Sequence, residues 1–245
     1  PIPRTLMLTA YGDMDVSRLM EKPAGRIPVS TSTFSLGRLD EVVGAVKRRV
    51  GDGARAYWVC PLIEEPETLD VAAAEDRHSH LKQIFGNRAG LIHGRMKAAE
   101  KDKVMAAFAS GELDVLVATT VIEVGVDVPE ATVMVIEHAE RFGLAQLHQL
   151  RGRIGRGTEE SHCLLLFLEP LTSTAHDRLA TMRETDDGFV IAEKDLELRG
   201  AGELLGTRQS GLPEFRIADL SAHAGLLAAA RDDAELILNK DADLE

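Results

Sequence analysis

Short, uninterrupted apolar runs punctuate the first two-thirds of the sequence, and they constrain the fold more than any other feature. Arg55–Leu62 (RAYWVCPL), Ala89–Ile92, Val115–Ala118, Thr132–Ile136 and Cys163–Leu168 are each short and rich in Val, Leu and Ile. Helical patterns lie between them. Residues 69–85 place Leu69, Ala73, Leu81 and Ile84 on a buried face, and residues 97–109 carry Val104, Met105 and Phe108 and stop at Gly111. A strand with no polar alternation is buried on both faces, and helices between such strands imply a parallel sheet covered on both sides. Ligands gather at the carboxyl ends of strands in such sheets. The residues directly after each run are therefore the first candidates for function.

The pattern changes after Leu168. Thr172–Glu184 reads as a helix, Asp186-Asp187-Gly188 as a turn, and residues 219–238 as an Ala/Leu-rich amphipathic helix. A Gly-rich stretch, 199–211, fits no simple period. The charge changes too. Of 245 residues, 28 are Lys or Arg and 40 Asp or Glu, a net of −12; residues 1–168 hold 20 and 23 of these, residues 169–245 hold 8 and 17. Together with Pro170 this sets an expected boundary. An α/β unit over 29–168 follows a short leading segment, 1–28, and precedes a smaller, mainly helical segment over 169–245.

A hydrophobic fraction of 44% suits a globular core. No apolar run approaches the roughly 20 residues of a membrane helix, so no membrane partner is expected. Cys60 and Cys163 lie far apart in apolar strands, which suggests buried thiols in a reducing compartment such as the cytoplasm rather than a disulfide. The eight histidines show no metal-ligand spacing with them, and no structural metal is expected. The net charge, taken alone, argues against nucleic acid as a partner.

Residues 141–158 are the local exception: they contain Arg141, Arg151, Arg153 and Arg156 and no acid. Treated as a helix, residues 144–156 put Gln149, Arg153 and Arg156 at i, i+4 and i+7 on one face, opposite Leu144, Leu147, Leu150 and Ile154. The planar forks of two arginines on adjacent turns suit one polyphosphate. Gly152 and Gly155 would each cost such a helix about 1 kcal/mol relative to alanine. Close approach of a ligand or another domain is the expected offset; a solvated arginine face is the plainer alternative.

These residues carry a resemblance. Gln149–Arg156 (QLRGRIGR) is similar to the Q-x-x-G-R-x-G-R motif of superfamily 2 helicases, and Ala118–Pro129 (ATTVIEVGVDVP) resembles the motif that precedes it there. Pro1–Thr5, Tyr57–Glu65 (YWVCPLIEE), Leu91–Met96 (LIHGRM), Phe142–Arg156 and Asp195–Gly211 (DLELRGAGELLGTRQSG) resemble the RecG family of branched-DNA helicases. The last of these is similar to a translocation motif shared with the transcription-repair coupling factor. Gly188–Ala192 and Gly206–Gln209 favour RecG.

The resemblance implies a second RecA-like lobe: a parallel sheet flanked by helices, followed by the smaller helical segment. It implies that Arg153 and Arg156, with Gln149 nearby, reach the γ-phosphate of ATP, Arg156 as the main arginine finger. It places Gly125 and Asp127 near the ribose, although Asp127 before Pro129 equally suits a turn. It puts Thr119, Thr120, His93 and Gly94 against the DNA backbone; a plain strand-to-helix turn is the alternative for His93-Gly94. Asp195, Arg199 and Gln209 would couple ATP-driven motion to DNA movement, or form a static cluster, or both. The glycines of 200–206 do not make a dinucleotide fingerprint, because the third glycine is missing.

The sequence contains no G-x-x-x-x-G-K-[ST] loop, and its only Asp-Glu pair, Asp40-Glu41, precedes a predicted helix. The expected reading is a piece of a larger enzyme in which a preceding lobe holds ATP and Mg2+. That enzyme would bind branched or forked DNA and carry a wedge domain. A non-catalytic interaction module, or the equivalent lobe of a coupling factor, is the alternative.

Overall fold

A computed structural model describes residues 27–61, 67–119, 128–204 and 224–240. It shows six strands: β1 Ser30–Ser35, β2 Arg55–Val59, β3 Ala89–Ile92, β4 Val115–Ala118, β5 Ala131–Ile136 and β6 His162–Phe167. The helices are α1 Leu39–Gly51, α2 Glu67–Phe85, α3 Ala98–Ser110, α4 Leu144–Arg151, α5 Ser173–Glu184, α6 Gly188–Leu204 and α7 Ala224–Lys240. The strands form one sheet in the order β1-β6-β5-β2-β4-β3, every pair parallel. This is the parallel sheet expected from the apolar runs, and it agrees with the RecA-like lobe that the resemblance implied.

The central strands explain why those runs lack polar alternation. Val115–Ala118 and Ala131–Ile136 are buried throughout. On one face, Trp58, Val115, Val117, Val133 and Val135 pack with Val42, Val43 and Val46 of α1 and Ala74 and Leu81 of α2. Successive strand residues point to opposite faces, so Tyr57, Leu116 and Met134 serve the other one. There the Tyr57 ring meets Phe108 of α3 at 4.9 Å between centroids.

The helix ends follow local rules. Gly111 closes α3 at φ 82°, a backbone angle that side chains rarely adopt. Thr172 caps α5, its hydroxyl accepting from the Ala175 amide at 3.2 Å.

Three features depart from the sequence expectation. β1 (STSTFS) has no apolar run to announce it, because it is an edge strand in which no residue is fully buried. Part of the Gly-rich stretch is helical, since α6 runs through Gly200 and Gly202 to Leu204. The described residues divide into two units, one reaching Ile191 and one starting at Ala192. The first thus extends beyond Leu168, because α5 packs on β1 and on the turn at Ala139–Arg141. No helix among the described residues is long and apolar enough to cross a membrane.

Phe108 is fully buried against the sheet. Phe108→Ala is expected to lower unfolding stability by about 3–5 kcal/mol, measured by urea titration with Trp58, the only tryptophan, as the fluorophore.

Candidate functional site

The carboxyl edge of the sheet begins at a buried carboxylate. Glu137, just past β5, accepts from the Trp58 indole of β2 and from Arg77 of α2, whose Nη2 lies 3.0 Å from Oε2. Arg77 also lies over the Trp58 ring, 5.9 Å from its centroid. Beside this cluster burial pushes the Cys60 thiol up, as it does the Cys163 thiol of β6; both cysteines are free.

One side of this edge presents His93 and Thr119. Ile92 and Ala118 are register partners in β3 and β4, so the residues that follow them are neighbours. Thr119 donates its amide to Ile92 O at 3.3 Å, and Lys101 of α3 donates to Gly94 O at 3.0 Å. The Thr119 hydroxyl and His93 Nδ1 are buried atoms with no hydrogen-bond partner among the described residues. A buried polar atom left unpaired costs about 1–3 kcal/mol. Two on adjacent strand ends mark a place where a ligand would supply partners. Thr132 Oγ1 and Arg49 Nε share this condition elsewhere in the fold.

The other side leads into the arginine segment. His138 takes φ 48°, a short turn over Ala139–Arg141 follows, and α4 starts after Gly143. The Gln146 side chain accepts from the Gly143 amide at 3.1 Å. Leu144, Leu147 and Leu150 are buried and Gln149 is exposed, as the helical pattern requires.

The expected helix over 144–156 is corrected here: α4 stops at Arg151 and residues 152–154 form turns. Gln149, Arg153 and Arg156 therefore do not share a helix face. Gln149 lies on the last turn of α4; half-buried Arg153 and exposed Arg156 follow it on irregular backbone. The glycines also have another cause. Gly152 ends the helix, and Gly155 adopts φ 71° where a Cβ would come within 2.6 Å of Val29 Cγ2. Neither glycine needs a ligand to account for it.

The four arginines have different fates. Arg156 Nε donates to Gly152 O at 3.2 Å, which folds the side chain over the turn. Arg151 is only 3% exposed and spends its donors inside the protein, on Met182 O at 2.7 Å, Thr185 O at 3.0 Å and Thr31 Oγ1 at 3.3 Å. Burial lowers the pKa of its guanidinium, an effect opposed by the nearby Cys163 and Asp186. The sequence reading missed this residue. The signal was present: Arg151 stands four residues after Leu147 and seven after Leu144, on the apolar stripe.

Thr120, Gly125, Asp127 and Gln209 lie outside the described residues, as does the side chain of Arg199. Asp195 is half-buried on α6. Among the described residues no three His, Cys, Asp or Glu side chains gather as a metal-ligating group.

Comparison with known proteins gives this architecture a class. The helicase conserved C-terminal domain matches residues 38–158, and the chain has the fold of a C-terminal helicase lobe. A second match, to the C-terminal part of domain 3 of the ATP-dependent DNA helicase RecG, covers residues 185–245. RecG of Acidithiobacillus ferridurans is 54% identical over 98% of the chain, RecG of Escherichia coli K12 57% over 90%, and RecG of Bacillus subtilis 48% over 99%. These alignments span 35%, 32% and 36% of the relatives. A structure of RecG bound to a three-way DNA junction superposes with a TM-score of 0.71 at 46% identity, over 93% of this chain and 29% of that one. A DEAD box protein from Methanococcus jannaschii, 18% identical with a TM-score of 0.50 over 76% of this chain and 47% of that one, shares the fold alone. The chain belongs to the RecG family of helicases and corresponds to its C-terminal lobe, spanning about a third of the length of these curated relatives.

Gly155 tests the geometry of the arginine segment. Gly155→Ala is expected to cost about 1–3 kcal/mol in strain at its positive φ, with a further penalty from overlap with Val29. A thermal melt of this variant beside Gly51→Ala, a position with open space around it, checks the difference.

Proposed function

We propose that this chain is the arginine-bearing, DNA-contacting lobe of an ATP-dependent helicase that remodels branched DNA such as stalled replication forks. One observation carries the reading. Within a stretch that holds no acid, Gln149 and Arg156 are exposed and Arg153 half-buried, while Arg151 is turned inward. Guanidiniums suit the phosphates of ATP in charge and in their fork of donors. ATP bound by a preceding lobe supplies a phosphoryl group whose charge must be neutralised as it leaves. Arg156, and Arg153 beside it, hold positive charge at that phosphoryl, with Gln149 orienting its surroundings. Gly125 and Asp127 face the ribose. Mg2+ is held with the ATP by the preceding lobe.

DNA meets the other side of the edge. Thr119, Thr120, His93 and Gly94 contact phosphates without reading bases, which fits the unpaired Thr119 hydroxyl and His93 Nδ1. Asp195, Arg199 and Gln209 couple lobe motion to DNA movement, and a wedge domain elsewhere in the enzyme splits the strands. The junction-bound RecG relative supports branched DNA as the substrate.

Arg156→Ala in the full-length enzyme is expected to reduce DNA-stimulated ATPase by about a thousandfold or more. Turnover within a few-fold of wild type overturns the finger assignment. Thr119→Val, which removes the unpaired hydroxyl, is expected to leave stability level or slightly higher while weakening DNA binding by about tenfold. Unchanged affinity in a fluorescence-anisotropy titration with forked DNA overturns that contact.

A further inference from the structure

Arg151 belongs to the same segment as the proposed finger residues, yet it faces neither nucleotide nor DNA. Its guanidinium is the last side chain of α4, buried, and aimed at the end of α5. The final carbonyls of a helix have no partners within it. One such carbonyl, Met182 O at 2.7 Å, and the carbonyl of Thr185, the residue just after the helix, at 3.0 Å, accept from Arg151 Nη1. The negative end of the α5 dipole favours a cation there. A buried guanidinium moved away from its acceptors is left uncompensated, so α4 and the end of α5 shift together.

The chain beyond that grip is stiff. Only Thr185–Asp187 separate α5 from α6. Asp187 donates its amide to Thr185 Oγ1 at 3.0 Å, and its carboxylate accepts from the Phe189 amide at 2.8 Å. The Asp187 carbonyl accepts from the Ile191 amide at 3.0 Å. α4 touches this corner a second time: a Cβ on Gly188 would lie 3.2 Å from His148 Nε2, and His148 Nδ1 lies 3.2 Å from Arg151 Nη2. On the other side, the turn carrying Arg153 is bonded back to α4, by Arg153 N to Leu150 O at 3.0 Å and Ile154 N to Arg151 O at 3.2 Å.

We propose that Arg151 is a positioning residue that transmits displacement of the arginine segment, through the α5–α6 corner, to the first turn of α6, the helix that carries Asp195. It makes no contact with ATP or DNA; it acts by gripping backbone carbonyls. The proposal rests on the reading of Arg153 and Arg156 as nucleotide-sensing groups. It places the mechanical link in a bond network of the lobe itself, independent of the side chains of Asp195, Arg199 and Gln209.

The test uses the full-length enzyme and two readouts: hydrogen exchange at amides 189–191 with and without a non-hydrolysable ATP analogue, and the yield of unwound fork per ATP hydrolysed. Arg151→Lys keeps the charge but is shorter and lacks the second nitrogen that meets His148 Nδ1 while the first holds the carbonyls. Coupling between sites is commonly about 5- to 150-fold. Arg151→Lys is expected to hydrolyse ATP within about threefold of wild type while unwinding per ATP falls about tenfold, and the exchange response of α6 to nucleotide disappears. Gly188→Ala, which crowds His148 from the α6 side, is expected to diminish the same response and serves if Arg151→Lys does not fold. An α6 response that persists in the folded variants, or unwinding and ATPase that fall in step, overturns the proposal. So does a wild-type enzyme whose α6 exchange ignores nucleotide while ATP is hydrolysed; that result leaves the finger reading standing. Normal ATPase in Arg156→Ala removes the finger reading instead, and the α6 response in Arg151→Lys then decides the link by itself.

Discussion

The Glu137 carboxylate is the fixed point from which the carboxyl edge of the sheet is organised. It is nearly buried, and a buried carboxylate must be fully matched by donors. The Trp58 indole and the Arg77 fork supply them from β2 and α2. Such a cluster is weak evidence for stability, since a well-packed apolar substitute is often equal or better. What it determines is position. It fixes the end of β5 relative to β2, holds α2 over both, and sets the direction of the chain as it turns at His138 towards α4. Gln149, Arg153 and Arg156, the groups proposed to meet the phosphates, all lie downstream of that turn.

From there backbone geometry, more than side-chain charge, sorts the arginines by exposure. A continuous helix through residue 156 would have carried Ile154 and both outer arginines around a regular spiral. The left-handed backbone at Gly155 is incompatible with that, and the chain enters β6 after a tight turn packed on Val29. The helix keeps Arg151, whose position on the leucine stripe forces it inward. The turn keeps Arg153 and Arg156, which are free of that stripe. One short segment therefore carries an inward cation that binds protein carbonyls and outward cations suited to phosphate.

The degree to which this was legible in the sequence follows from which interactions are local. Val115–Ala118 and Ala89–Ile92 were read correctly to the residue, because buried parallel strands declare themselves by composition. The stop of α3 at Gly111 was equally plain, being a matter of one residue's permitted angles. β1 was missed because an edge strand can be built from serine and threonine, and nothing in STSTFS requires a partner 132 residues later. The end of α4 was missed for the opposite reason: the leucine period continues into Ile154, and only the left-handed angle at Gly155 reveals the break. Glu137 and Arg77 stand 60 residues apart, and the sequence holds no trace of that pairing. Candidate residues were legible through motif resemblance; the roles of their neighbours required coordinates.

The net charge of −12 illustrates why bulk composition was a poor guide to partners. The portion before residue 169 is nearly balanced, with 20 basic and 23 acidic residues, so the excess belongs to the segment after it. Affinity for nucleic acid through counterion release scales with the number of phosphates that cations neutralise, not with the net charge of the chain. At the β3–β4 edge the unpaired groups are a hydroxyl and an imidazole nitrogen. A neutral donor binds a phosphate oxygen without releasing a counterion. The DNA contact proposed for Thr119 therefore depends on geometry and is insensitive to salt, whereas the grip proposed for Arg153 and Arg156 on a polyphosphate is electrostatic. An acidic protein can sustain both, because the first needs no charge and the second needs it only over the span of one turn.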